Sequence, residues 1–390
     1  MPTTPMRSSS GSASLPASAE ALASSLALWY RAAARSLPWR GLKDPYAIWL
    51  SEVMLQQTQV ATVLGKGYFS RFLEAFPTVE ALARAELPEL LARWSGLGYY
   101  ARARAMHAAA KEIALRGAFP DTMDELRSLP GFGPYTAAAV ASIAFERPEP
   151  AIDGNALRVY GRLVGLRAAR AEAEPLLREL VRPLLAHGKP SELNQAVMDL
   201  GASLCAPATP SCPLCPWREP CVARRLGLQA EIPPARKPTA RRRLSWVAAV
   251  LRDERGRILL ARRPERGLFG GLWELPGGEL SSTGDERREL ARLLRERLGI
   301  RVRVGAAVAE VSQILTHRDL RVVAHAATSS GSPSALTGYL GVRFAGREDL
   351  ASLGLSSVTR KLLAKLDGRA DRPARRTVTH QRASARLGAP

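Results

Sequence analysis

Between Leu22 and Leu226 the apolar residues recur at three- and four-residue spacing and β-branched runs are few, which is the pattern of amphipathic helices. In TVEALARAELPELLARWSGLG, Leu82, Leu87, Leu90, Leu91 and Trp94 fall on the linked faces of two short helices. Gly and Pro punctuate this stretch at short intervals (Pro77, Pro88, Gly96, Gly98, Pro120, Pro130) and predict many short helices rather than a long bundle. DPYAIWLSEVMLQQTQV (44–60) reads as one helix, with Asp44 at the N-cap and Pro45 at its first position. LPGFGPYTAAAVASIAF (129–145) follows a helix, DTMDELRSL, and opens another. After Arg225 the pattern changes. Residues 226–245 carry Pro233, Pro234, Pro238 and the run Arg241–Arg243 and read as a basic linker. Beyond it WVAAVL, RILLAR, VRVGAAVAEV, RVVAHAA and YLGVRF predict strands, DERRELARLLRERLG predicts a helix, and TSSGSPSALTG (328–338) predicts a flexible insertion. The chain therefore divides into a disordered leader (1–24), an all-α domain (25–225), the linker (226–245), an α+β domain (246–366) and a disordered basic tail (367–390).

Composition adds less than pattern does. A chain of 390 residues has room for two cores. Its net charge of +20 suits a polyanionic partner such as nucleic acid, although the excess of Arg over Lys also reflects a GC-rich genome. No apolar run approaches the ~20 residues of a membrane helix, so no membrane partner is expected. The N-terminal stretch has neither a basic start nor a continuous apolar core, and Arg7 is its lone basic residue, so neither a secretory signal nor a transit peptide is expected. All four cysteines, Cys205, Cys212, Cys215 and Cys221, fall in one short loop. A disulfide framework would spread them, so their clustering predicts a metal site in a reducing cytoplasm, at the bacterial nucleoid if the polyanion is DNA.

Spacing C-x6-C-x2-C-x5-C leaves both zinc and iron–sulfur open, since only Cys212 and Cys215 form the usual zinc pair. Placed just after NQAVMDLGASLC, however, the loop resembles that of the endonuclease III/MutY superfamily of DNA glycosylases. That resemblance implies a [4Fe–4S] cluster and makes Arg218, Arg224 and Arg225 candidates for DNA phosphate contact. It also identifies the Gly131–Gly133 turn as a helix–hairpin–helix whose backbone N–H groups grip DNA without reading sequence.

Glu52 has Ile48, Trp49, Leu55 and Gln56 as its helical neighbours, an apolar setting that raises a carboxyl pKa. SEVMLQQTQV resembles the motif of adenine glycosylases, and the resemblance makes Glu52 the acid that protonates the leaving base. It places a second carboxylate at Asp153 in PAIDGNALRVYGRLVGL, with Asn155 nearby, where negative charge would stabilise an oxocarbenium-like sugar. Asp153 also suits a plain N-cap. Strand-cutting relatives carry a Schiff-base Lys two residues after the hairpin's second glycine; here Tyr135 stands there, and Leu157 replaces another Lys of some relatives, so water is the expected nucleophile. Gln57 and Tyr99 match intercalating positions, and Trp39 and Arg40 match the border of the adenine pocket.

GLFGGLWELPGGEL with RLLRERLGI resembles a Nudix domain. Aligned on Gly278 and Gly299, its acidic box carries Gly284, Leu293 and Arg297 in place of three glutamates and keeps only Glu296, too little to hold a divalent metal. The resemblance implies a reader of 8-oxoguanine, using Thr316 and His317 in Leu315-Thr316-His317, where relatives have an aromatic residue first. The expectation is a monomeric, monofunctional glycosylase that removes adenine opposite 8-oxoguanine or G in double-stranded DNA. The rivals are an endonuclease III-like enzyme for oxidised pyrimidines, a non-enzymatic DNA-binding protein and an active Nudix hydrolase.

Overall fold

The computed structural model describes residues 14–235, 240–280, 285–334 and 336–370. The chain divides at residues 239–240 into two compact units.

The first unit is helical: α1 (Ala19–Ala33), α2 (Pro45–Leu55), α3 (Val60–Gly65), α4 (Tyr68–Ala75), α5 (Val79–Arg84), α6 (Leu87–Arg93), α7 (Tyr100–Arg116), α8 (Met123–Ser128), α9 (Pro134–Phe145), α10 (Gly154–Val164), α11 (Arg170–Leu185), α12 (Pro190–Ser203) and α13 (Val222–Leu226). Helix α1 starts inside the expected leader, because the Ser18 hydroxyl accepts from Ala21 N and Leu22, Ala23, Leu26 and Ala27 bury a stripe. That stripe joins α10, α11, α12 and Trp217 in one core, and Trp217 Nε1 donates to the Leu22 carbonyl (2.9 Å), tying the cysteine loop to the N-terminal helix. Helix α2 is capped by Asp44 and has Pro45 at its start, as expected. It is buried from Tyr46 through Met54, so it runs through the unit's interior rather than lying on its surface. It packs on α9, whose buried Ala137–Ala141 run lets the helices approach closely.

The helix expected over 44–60 ends at Leu55. No Gly or Pro marks the break; Gln57 takes a left-handed backbone (φ 58), and the carbonyls left open at the helix end accept from Arg102, far along the chain.

In the second unit, β1 (Arg242–Leu251), β4 (Gly277–Glu279), β5 (Val302–Leu315) and β6 (Arg318–Ser329) form a mixed sheet of order β4-β1-β6-β5, with β1 parallel to β6. β2 (Ile258–Arg262), β3 (Trp273–Glu274) and β7 (Gly341–Ala345) form an antiparallel sheet of order β3-β2-β7. Helices α14 (Glu286–Leu298) and α15 (Ser357–Ala370) cover two separate apolar clusters. β1 takes in the last residues of the expected linker, and α15 extends past the expected domain end at 366. The expected flexible insertion is tied down where it is described: Ser334 N and Thr337 N donate to the Leu298 and Arg297 carbonyls (3.0 and 2.9 Å), closing the C-terminus of α14. Among the described residues no helix is long and apolar enough to cross a membrane.

Candidate active site and cysteine loop

One cavity of about 900 Å³ in the first unit gathers Trp39, Arg40, Glu52, Gln57, Gly131, Gly133, Tyr135, Asp153 and Asn155, large enough for a nucleoside. Trp39 and Arg40 come from the α1–α2 connection, Glu52 from the last turn of α2, Gln57 from the turn after it, and the rest from the α8–α9 hairpin, the start of α9 and the start of α10. The carboxyl of Glu52 is only 7% exposed. Burial raises its pKa above the usual 4.5, opposed by a hydrogen bond from the Tyr135 hydroxyl to Oε2 (2.6 Å) and by the Arg40 charge, and reinforced by the charge of Asp153. Tyr135, two residues after Gly133, thus bonds the Glu52 carboxyl.

Asp153 caps α10 through Ala156 N (2.7 Å), as expected of a plain N-cap, and accepts from Asn155 Nδ2 (3.2 Å) while lining the cavity. Burial raises its pKa while the backbone donors of Ala156 and Asn155, then Arg158 and Arg170, oppose the rise. Asn155 is held in turn by Arg158 Nη2 (2.9 Å), which also donates to the Gly201 carbonyl (2.8 Å), while Arg158 Nε donates to the Cys205 carbonyl (2.8 Å). A continuous hydrogen-bonded chain therefore runs from the cysteine loop to Asp153.

Only one of the two hairpin glycines needs glycine's backbone freedom. Gly131 has φ 80, and a Cβ there would lie 2.7 Å from Ala105 Cβ. Gly133 is the extended N-cap of α9 (φ −77), exposed, with open space around it. It leaves the helix N–H groups accessible rather than shaping the turn.

Trp39 is buried edge-on against Phe69 (5.4 Å between ring centroids). Arg40 donates to Gln195 Oε1 and to Asp199 Oδ1 (2.7 Å), while its buried Nε has no hydrogen-bond partner among the described residues. Asp199 is 1% exposed and also takes Arg35 Nε (2.9 Å). The sequence reading missed Gln195 and Arg35, which line the cavity, and Asp199, which pairs with Arg35 and Arg40 behind it, because only tertiary packing brings them together. Gln57 and Tyr99 are exposed, Gln57 at the cavity edge and Tyr99 outside it, 45% exposed.

The four cysteines line a separate apolar pocket with Arg162, Trp217, Arg218 and Arg224. Arg162 Nη1 lies 3.3 Å from Cys205 Sγ, and Cys221 Sγ faces the Arg162 carbonyl (3.4 Å). Burial, with the other three thiols adding to it, pushes Cys215 up to about 12. No three His, Cys, Asp or Glu side chains among the described residues are gathered as a set that could hold a metal ion. Arg218 and Arg224, expected to meet phosphates, share Glu219 (3.1 and 3.5 Å).

In the second unit Thr316 and His317 form the exposed two-residue turn between β5 and β6, closed by the Leu315–Arg318 pair. Leu315 is half-buried against the core, whereas Ile314 is 69% exposed. Of the box positions, Leu293 is buried, Glu296 accepts from Arg292 (2.6 Å), and Gly284 lies outside the described residues.

A family description, "HhH-GPD superfamily base excision DNA repair protein", matches residues 50–183, and "NUDIX domain" matches residues 247–365. Adenine DNA glycosylase of Rattus norvegicus is 32% identical over 391 residues, covering 86% of this chain and 75% of its own. The human enzyme of the same name is 32% identical, covering 88% and 73%. That of Buchnera aphidicola (strain Bp) is 38% identical, covering 50% and 55%. With its helical glycosylase unit followed by a Nudix unit, the chain belongs to the adenine DNA glycosylase family of base excision repair enzymes.

Proposed function

We propose that the chain hydrolyses the N-glycosidic bond of adenine opposite 8-oxoguanine or G in duplex DNA. The observation that carries this reading is the buried Glu52 carboxyl, bonded by Tyr135 in a nucleoside-sized cavity that it shares with Asp153. A carboxyl whose pKa is raised by burial holds a proton to deliver to the departing base. Asp153, fixed by its cap and by Asn155, offers negative charge to the oxocarbenium-like sugar as the bond breaks. With Tyr135 and not Lys on the hairpin, water completes the reaction and the strand stays intact. Arg40 and Gln195, which line the cavity, supply polar contacts for the base. The exposed Gln57 and Tyr99 fill the space it leaves in the duplex, and the Gly131–Gly133 hairpin holds the backbone.

The chemistry of the cysteine loop supports an anionic cluster: its four thiols line one pocket, with Arg162 beside Cys205. Cys205, Cys212, Cys215 and Cys221 would hold a [4Fe–4S] cluster, which braces the basic loop. Thr316 and His317 would read the 8-oxoguanine. The chain is expected to act as a monomer in the cytoplasm.

Base release under single-turnover conditions on A·8-oxoG, A·G and thymine-glycol duplexes tests the reading. Fastest release from A·8-oxoG without strand cleavage supports it. Strand cleavage on thymine glycol with a borohydride-trappable adduct revives the pyrimidine-specific rival, and no release from any duplex leaves a DNA-binding protein.

A further inference from the structure

Four non-glycine residues among those described have positive φ, and two of them are Gln57 (φ 58) and Tyr99 (φ 47). Such backbone is costly for residues with a Cβ and persists only where surrounding contacts enforce it. Here one side chain touches both turns. Arg102, on the first turn of α7, donates from Nη1 to the carbonyls of Val53 (2.7 Å), Met54 (3.2 Å) and Gln56, on the Gln57 side. From Nη2 it donates to Thr58 Oγ1 (3.3 Å), again on the Gln57 side, and to the carbonyls of Leu97 (3.3 Å) and Gly98 (3.4 Å), on the Tyr99 side. Its guanidinium also lies over the rings of Tyr99 and Trp94 (5.2 and 5.5 Å to the centroids), and Trp94 Nε1 in turn donates to the Gly98 carbonyl (3.0 Å). Neither turn carries its own Gly or Pro at the strained position. A planar fork can serve two sets of carbonyls at once, and an ammonium cannot reproduce that geometry.

We propose that Arg102 is a positioning residue: a single clamp that holds Gln57 and Tyr99 together in the conformation that enters the duplex, and so couples the two wedges into one device. The proposal rests on the reading of Gln57 and Tyr99 as wedges. It gives Arg102 no contact with the reacting atoms. Its loss therefore slows extrusion of the adenine and leaves proton delivery by Glu52 as it was.

The test uses full-length Arg102→Ala, Arg102→Lys, Gln57→Ala and the Gln57→Ala/Arg102→Ala double variant on an A·8-oxoG duplex with 2-aminopurine beside the target adenine. Thermal melts identify variants that fold. Expected are a single-turnover rate reduced on the order of tenfold or more in both Arg102 variants, a matching loss of the 2-aminopurine rise, and a pH profile of unchanged shape. The double variant should be hardly slower than Arg102→Ala alone, and free guanidinium at non-denaturing concentration should restore part of the rate to Arg102→Ala but not to Gln57→Ala. If Gln57→Ala keeps the full fluorescence rise, the wedge reading fails and the clamp with it. If Gln57→Ala abolishes the rise while folded Arg102 variants keep it, or if the two losses multiply independently, the clamp alone is overturned. Should Arg102→Ala not fold, Arg102→Lys decides by the same readouts.

Discussion

Replacing Tyr135 by Phe removes one hydroxyl from the cavity and leaves the ring in place. That hydroxyl donates to Glu52 Oε2 at 2.6 Å, on a carboxyl 7% exposed. Burial is the largest influence on Glu52 and raises its pKa; the Tyr135 bond is the largest influence in the other direction. A hydrogen bond to a charged partner contributes about 1.5–3 kcal/mol. Every ~1.36 kcal/mol changes the ratio of protonated to ionised carboxyl tenfold. On the alkaline limb, where the rate follows the scarce protonated form, Tyr135→Phe should therefore raise the protonated fraction on the order of tenfold or more, moving the limb to higher pH. Stability moves the opposite way. A carboxyl whose folded pKa lies above its unfolded value stabilises the fold fully below the unfolded pKa and loses that contribution as pH rises through the folded one. The variant, with its ionised carboxylate unpartnered, should thus melt at lower temperature than the parent under alkaline conditions and nearly together with it in acid. Single-turnover adenine release measured from acid to alkaline pH, beside thermal melts over the same range, gives both curves. A descending limb that stays in place or moves toward acid refutes the coupling. A rate that instead climbs with pH through this range refutes the acid role of Glu52 itself.

Glu52→Gln should keep its affinity for an A·8-oxoG duplex and lose excision by about 10²–10⁴-fold; because it removes a buried ionisable group, it should also melt higher than the parent above neutral pH, and undiminished release would sink the role of Glu52. Gly201→Ala puts a Cβ 2.6 Å from Asn155 Cβ and 3.2 Å from its Cα, where α10 and α12 meet, so it should cost about 1–3 kcal/mol in urea unfolding. It should also slow excision through Asn155 and Asp153 while duplex affinity holds; a wild-type rate would show that this contact does not position Asp153. Thr316→Ala, on an exposed turn, should leave stability unchanged and shrink the affinity ratio of A·8-oxoG over A·G duplexes by about 0.5–1.5 kcal/mol; titration of both duplexes decides it.

The features legible in the sequence are those whose cause is local. Asp44 and Asp153 cap the helices that their sequence neighbours begin, and Tyr135 occupies its position by simple counting from Gly133. What could not be read depends on partners distant in the chain. The break after Leu55 has no local signal because Arg102 takes the open carbonyls from forty-odd residues away. Gln195 and Asp199 lie on α12 in a run that reads as ordinary amphipathic helix, and only its packing brings them to Arg40. The short β3 and β4 were hidden in GLWELPGGEL, where Gly and Pro argue against strands, because pairing with β2 and β1 overrides propensity.

The Nudix unit carries the same lesson into function. Losing box glutamates would by itself leave a weakened metal site, open to recovery by one substitution. Here two of the vacated positions, Leu293 and Arg297, have other partners. Leu293 is part of the apolar cluster between α14 and the sheet, so a carboxylate there would be buried among Leu290, Leu294 and Leu298. Arg297 lies against Gly278, the first glycine of the box, with Nη2 3.2 Å from where a Cβ would stand, and packs over the Tyr339 ring (5.6 Å). Burial raises the pKa of nearby Glu274, and the charges of Arg263, paired with it at 2.7 Å, and then of Arg297 oppose that rise. Guanidinium groups thus neutralise the buried carboxyl of Glu274. Regaining hydrolysis would require displacing a core leucine and an internal cation together. That weighs against reading the unit as a dormant hydrolase.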